Sequence, residues 1–141
     1  MDADVLYEKI ESIRLSVARI TSKQPFSTDE LATNYDLQDI ISVNLQRAIQ
    51  SMVDIAAHIL AASDDPAPRA MADALDALVV AKFLSPDLGK SLRRAIAFRN
   101  ILVHQYKKID WRRVHAGLEN GVGELAAFCL EIETKRKRKC P

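Results

Sequence analysis

The chain has 141 residues, with 20 Lys and Arg against 19 Asp and Glu, for a formal net charge of +1. That length suits one domain, and a hydrophobic share of 48% beside 28% charged residues excludes a disordered chain. Four Gly and five Pro are too few for the turns of an all-β sandwich or barrel.

The periodicity is helical from the start. Val5, Leu6, Ile10, Ile13, Val17 and Ile20 recur at spacings of three and four, which predicts a first helix over 3–22. Gln24 and Pro25 break it. Ser27, with Glu30 three residues on, is a capping-box signature. From there to about Ala62 runs one amphipathic pattern through Leu31, Leu37, Ile41, Leu45, Ile49, Met52 and Ile59, with no Pro or Gly inside it. This predicts a single long helix of about 34 residues, on the order of 50 Å. Asp64, Asp65, Pro66 and Pro68 make a loop. Met71, Leu75, Leu78, Val79 and Phe83 mark a short third helix. Ser85 and Pro86 read as N-cap and first helical residue of a fourth, which fades near His104. Asp110 can cap a fifth, with Trp111, Val114, Leu118, Leu125, Phe128 and Ile132 on its stripe. Gly117, Gly121 and Gly123 either weaken that helix or mark close packing. The expected fold class is all-α, an up-and-down bundle of about five helices.

No apolar run reaches the roughly 18–20 residues of a membrane span. The acidic start at Asp2 and Asp4 is unlike a secretory leader. Cys129 falls on an apolar stripe and Cys140 lies next to the end, so neither a disulfide framework nor metal-ligand spacing is present. A reducing, cytoplasmic setting with no metal and no cofactor is expected.

The charge is unevenly spread. Residues 1–88 carry −7, residues 89–115 carry +7, residues 116–134 carry −4, and the run from Lys135 to Lys139 carries +5. Local basic clusters attract phosphates even when the total charge does not.

Within the basic segment, Phe98, Arg99, Asn100, His104 and Tyr106 concentrate side chains able to do chemistry. On a helix, Asn100 and His104 share a face, whereas Arg99 lies about 140° from His104. Convergence of Arg99 and His104 therefore needs a long reach, an unwound helix end, or a second copy of the chain. The chemistry such a set suits is metal-independent RNA cleavage. The 2′-hydroxyl is the nucleophile, His takes its proton, and a guanidinium stabilises the pentacoordinate phosphorus more than the ground state. Asn100 could orient the His ring or hold a phosphate oxygen. Tyr106 could hydrogen-bond or stack on a base.

The pattern Arg-x-x-x-x-His, with Asn100 directly after Arg99 and Tyr106 two after His104, resembles the signature of HEPN domains. The resemblance is nearest to the HepT type, toxins encoded beside a minimal nucleotidyltransferase of the MntA type. Residues 43–49 and 53–59 look like that family's long second helix, and 98–106 with 109–110 like its fourth helix and following turn. The likeness covers roughly residues 1–134 and leaves 135–141 as a basic C-terminal tail.

The resemblance implies a homodimeric HEPN bundle with both motifs facing one cleft. It implies a metal-independent endoribonuclease acting as the toxin of a type VII-like toxin–antitoxin system, with RNA as substrate. By position, Arg99 and His104 would be the catalytic pair, supported by Asn100. Tyr106 would be the tyrosine that the MntA-type antitoxin modifies with AMP. A non-catalytic binding or regulatory subunit of a nucleotidyltransferase pair is the alternative, and a nucleic-acid-binding bundle without catalysis a third. Asn44, Arg47 and Asp54 are expected to organise the bundle or dimer interface. Asp54 and His58 read as a helical pair, and His115 as a surface or interface residue.

Overall fold

Six helices follow one another in the computed structural model, which describes residues 3–62, 70–104 and 109–139, without the side chains of 138 and 139. They are α1 (Ala3–Lys23), α2 (Thr28–Thr33), α3 (Tyr35–Ala61), α4 (Met71–Val80), α5 (Pro86–His104) and α6 (Trp111–Lys139). No strand occurs among the described residues, as the helical periodicity required. The predicted loop over 63–68 and Cys140 lie outside them.

The helix ends follow local chemistry. Ser27 Oγ accepts from the Glu30 amide at 3.0 Å, which satisfies one of the donors that a helix start leaves unpaired. Asp110 Oδ1 does the same for the Arg112 amide at 3.1 Å. Ser85 behaves differently from a capping serine. Its amide and hydroxyl both donate to the Glu131 carboxylate, at 2.7 and 3.2 Å, which ties the start of α5 to α6. Lys82 closes α4 at φ 65°, a left-handed position usually given to Gly. The Lys82 amide then reaches Val79 O at 3.1 Å and the Phe83 amide reaches Leu78 O at 2.9 Å.

The single long helix expected from Ser27 to Ala62 is two helices. Asn34 sits between them in an extended conformation, with φ −99° and ψ 102°. Its backbone amide donates to Glu30 O and ends α2, while its side chain accepts from the Leu37 amide and starts α3. Gln38 then donates from Nε2 to Leu31 O and Ala32 O, at 2.9 and 3.2 Å, and occupies the last carbonyls of α2. The break lets Leu31 turn inward and become fully buried.

Cross-links show α1 and α3 running antiparallel and tie α1 to α6. Lys9 meets Asp54 and Ser12 meets Ser51 across α1 and α3. Arg14 makes a two-pronged bond to Glu133, at 2.9 and 3.1 Å, across α1 and α6. The core divides into two clusters. The larger joins Leu6, Ile10, Met52, Ile55, Leu75, Leu92, Phe128 and Cys129. The smaller joins Ile20, Leu31, Leu37, Ile41, Leu45, Leu102, Val114 and Leu118, and lies beneath the end of α5. Each fully buried Leu or Ile contributes about 1.5–3 kcal/mol.

Close packing is found at Gly89 rather than at the glycines of α6. A Cβ at Gly89 would fall 2.6 Å from Val79 Cγ2, whereas Cβ atoms at Gly117, Gly121 and Gly123 would meet nothing within 4 Å.

Candidate functional site

The last turns of α5 carry the motif. Leu92, Ile96 and Leu102 turn into the core and anchor the helix. Around the same cylinder, Arg99 is half-buried, and Asn100, Val103 and His104 are exposed. His104 is the last described residue of α5, and its side chain is exposed.

Arg99 reaches back over α3. Its Nη2 donates to Gln50 Oε1 at 3.4 Å, and its Nη1 donates to Asn100 Oδ1 at 3.3 Å. Both contacts are longer than the usual 2.7–3.2 Å for such bonds. Its Nε is buried with no hydrogen-bond partner among the described residues. The guanidinium is thus bordered by two neutral carbonyl oxygens and keeps its positive charge available.

Asn100, expected to support the Arg99 and His104 pair by holding the His ring or a phosphate oxygen, lies against Arg99. The oxygen of Asn100 faces Arg99, and the His104 ring forms no hydrogen bond among the described residues. Arg99 and His104 are likewise joined by no hydrogen bond within this chain. The sequence geometry anticipated that separation. Tyr106 lies outside the described residues, as do Gln105, Lys107 and Lys108.

Behind Arg99 stands a layer of which the sequence singled out Asp54 alone, as an organiser of the bundle or dimer interface. Gln50 Nε2 donates to Asp54 Oδ1 at 2.9 Å, and Lys9 Nζ donates to Asp54 Oδ2 at 3.0 Å. The pairing of Gln50 with Asp54 at i and i+4 was open to view in the sequence; the reach of Arg99 and Lys9 to it was not. Asn44, expected to organise the bundle or the dimer interface, is buried on α3 and donates to Ile40 O at 2.7 Å. His115 is half-buried and joins α6 to the segment before α2. Its Nε2 lies 2.8 Å from Phe26 O and faces it as a donor, and its Nδ1 lies 3.1 Å from Thr28 Oγ1.

A groove of about 220 Å³ lies on the flank of α5 that faces α6, lined by Ala95, Phe98, Leu118, Gly121 and Leu125, with Arg94 at its side. Phe98 and His104 are about 120° apart around the helix, so the groove and the exposed histidine are on different flanks. Among the described residues, no three His, Cys, Asp or Glu side chains come together to hold a metal ion. No described helix is long and apolar enough to cross a membrane.

The described residues form an all-α helical bundle, with Arg99 and His104 both on the last turns of α5. The chain belongs to the family described as Ribonuclease HepT-like, which it matches over residues 7–132. It is 28% identical over 108 residues to the mRNA nuclease HepT of Shewanella oneidensis, covering 76% of this chain and 80% of that protein. It is 23% identical over 130 residues to the tRNA nuclease HepT of Aphanizomenon flos-aquae, covering 92% of this chain and 88% of that one. In three dimensions it is similar to a tri-AMPylated HEPN toxin of Shewanella oneidensis solved in complex with an MNT antitoxin. The TM-score is 0.86 at 25% identity, over 95% of this chain and 99% of that one. The expected HEPN bundle is therefore the observed fold, with six helices in place of about five.

Proposed function

We propose that this protein is a metal-independent endoribonuclease toxin whose reactive groups are Arg99 and His104, supported by Asn100. The carrying observation is the arrangement at the end of α5: a guanidinium whose hydrogen bonds among the described residues go to neutral carbonyl oxygens, on the same helix end as an exposed histidine. Family membership over residues 7–132 and the names of its relatives, an mRNA nuclease and a tRNA nuclease, support the same reading.

In this reading His104 takes the proton of a ribose 2′-hydroxyl. The 2′-oxygen bonds to the adjacent phosphorus, and the bond to the 5′-oxygen breaks. That oxygen leaves with a proton, giving a cyclic phosphate and a free 5′-hydroxyl. Arg99 donates to the phosphoryl oxygens as their charge rises. Because Arg99 and His104 diverge on one helix, two copies of the chain complete the site across a homodimer cleft. One His104 then acts as base and the other as acid. The basic residues of 89–115 draw RNA toward that cleft.

The natural antagonist in this reading is an MntA-type nucleotidyltransferase that places AMP on Tyr106. Each AMP brings a negative phosphate and bulk next to His104, which repels and blocks RNA. The protein acts in the cytoplasm. Residues 1–134 form the HEPN domain and 135–141 a basic tail.

Single-stranded RNA incubated with the purified chain in EDTA tests the chemistry. Cleavage should occur, and His104→Ala and Arg99→Ala should each lower it by about 10²-fold or more with helical circular dichroism intact. Undiminished cleavage in His104→Ala would sink the catalytic assignment. Stable association with the nucleotidyltransferase but no cleavage by the unmodified chain would favour the non-catalytic subunit instead. Modification is tested separately, by intact mass after incubation with the partner and ATP. The mass should rise by whole AMP units, and Tyr106→Phe should remove the rise. An unchanged adduct in that variant would place the modification elsewhere.

A further inference from the structure

We infer that Gln50 is a positioning residue for Arg99, holding the guanidinium in place through a neutral oxygen while Asp54 and Lys9 fix Gln50 from behind. The inference rests on the proposed role of Arg99 in phosphoryl stabilisation.

The argument starts from hydrogen-bonding capacity. A carboxamide has one accepting oxygen and one donating nitrogen, and its neighbours decide which way it points. An ionised carboxylate only accepts, so Asp54 Oδ1, at 2.9 Å, must take the Gln50 nitrogen. The oxygen is then left for Arg99, whose Nη2 lies 3.4 Å from it. Asp54 is itself held, because Lys9 Nζ from α1 binds its second oxygen at 3.0 Å. The chain Lys9–Asp54–Gln50–Arg99 therefore crosses three helices, and each of its links joins a donor to an acceptor.

The identity of the last link matters more than its length. A guanidinium bound directly to a carboxylate makes a short, charge-assisted pair that competes with phosphate for the same donors. Gln50 keeps the carboxylate of Asp54 one residue away from Arg99. Orientation is transmitted and negative charge is not. The contact to Arg99 is the loosest in the chain, at 3.4 Å against 2.9 and 3.0 Å. Arg99 can thus shift toward a phosphate while staying on the same side of α5. Catalytic contacts that are long without substrate and tighten with it are common.

Two substitutions separate orientation from charge. Gln50→Met keeps the side chain's bulk and removes both hydrogen bonds. Gln50→Glu keeps the reach and puts an anion against Arg99. With a short fluorogenic RNA, Gln50→Met should lower kcat by about 10-fold with KM within about 2-fold of wild type. Gln50→Glu should lower kcat by about 100-fold, since misplacing or sequestering one charge-stabilising donor costs that order. Melting temperatures measured alongside report packing. Wild-type kcat in both variants, with Arg99→Ala inactive, would overturn the positioning role and leave the proposed chemistry standing. Wild-type activity in Arg99→Ala would instead remove the reading on which it rests. Equal losses in the two variants, each with a lowered melting temperature, would assign Gln50 to packing and also overturn the inference.

Discussion

Cys129 lies in the larger core cluster with no exposed surface, and an ionised thiolate there would have no water to solvate it. Burial pushes its thiol up to about 11, with the charge of Arg14 pulling weakly the other way. An unfolded thiol titrates near ~8.5. The stability gained by keeping the thiol neutral is therefore fully present below pH ~8.5 and is lost as pH rises toward about 11. Unfolding in denaturant should show wild type losing about 2 kcal/mol more than Cys129→Ala between pH ~8 and ~10. Lys and Tyr titrations are common to both proteins and cancel. Parallel losses in the two would show that the folded protein admits the thiolate. At this scale the sequence showed Cys129 as buried, because its neighbours repeat at helical spacing. It showed Arg99, Asn100 and His104 because they are close in the chain. It could not show Gln50, since that residue meets Arg99 across 49 positions, through packing of α3 on α5.

The helix boundaries divide between those written in local chemistry and those set by tertiary demand. Proline at 25 and at 86, and capping by Ser27 and Asp110, act within a few residues, and the structure has helix ends at each. The break at Asn34 has no Pro or Gly to announce it. Thr33, Asn34 and Asp36 are compatible with a helix interior at a cost of tenths of a kcal/mol. The apolar stripe runs through them unbroken. What decides the break is the recovery of backbone bonds by the Asn34 side chain, worth about 1 kcal/mol for such a cap, together with burial of Leu31. A pattern read by period counts apolar positions and has no term for an asparagine that caps two helices at once. The same limit applies to the glycines of α6. They were open to two readings, a weakened helix or close packing, and the tight approach is at Gly89, between α4 and α5.

Charge summed along the chain is not charge displayed on the molecule. Of the basic residues in 89–115, Arg93 pairs with Asp76 of α4, and Arg112 lies 3.4 Å from Asp29 of α2. The acidic first half thus meets part of the basic segment, while Arg99 keeps neutral partners. The second basic cluster is separated by distance. Helix α6 runs antiparallel to α5, with Glu131 beside Ser85 at one end and Leu118 beside Phe98 near the other. The helix continues through Lys139, so the basic run rides on its last turns. From the level of Leu118 to Lys135 is about 26 Å along the axis. At physiological salt the screening length is about 8 Å, so within one protomer these charges act on the motif only faintly. Removing residues 135–141 should therefore leave kcat/KM for an RNA of about six nucleotides within about 2-fold of wild type, with the same dependence on salt. Long RNA gives the contrast, because a strand that spans both ends of the molecule can touch both basic regions. Its binding should weaken on truncation and lose part of its salt slope. A large loss on the short substrate would mean that the basic end of α6 lies against a motif after all, which the antiparallel path of α5 and α6 allows only for the motif of another copy.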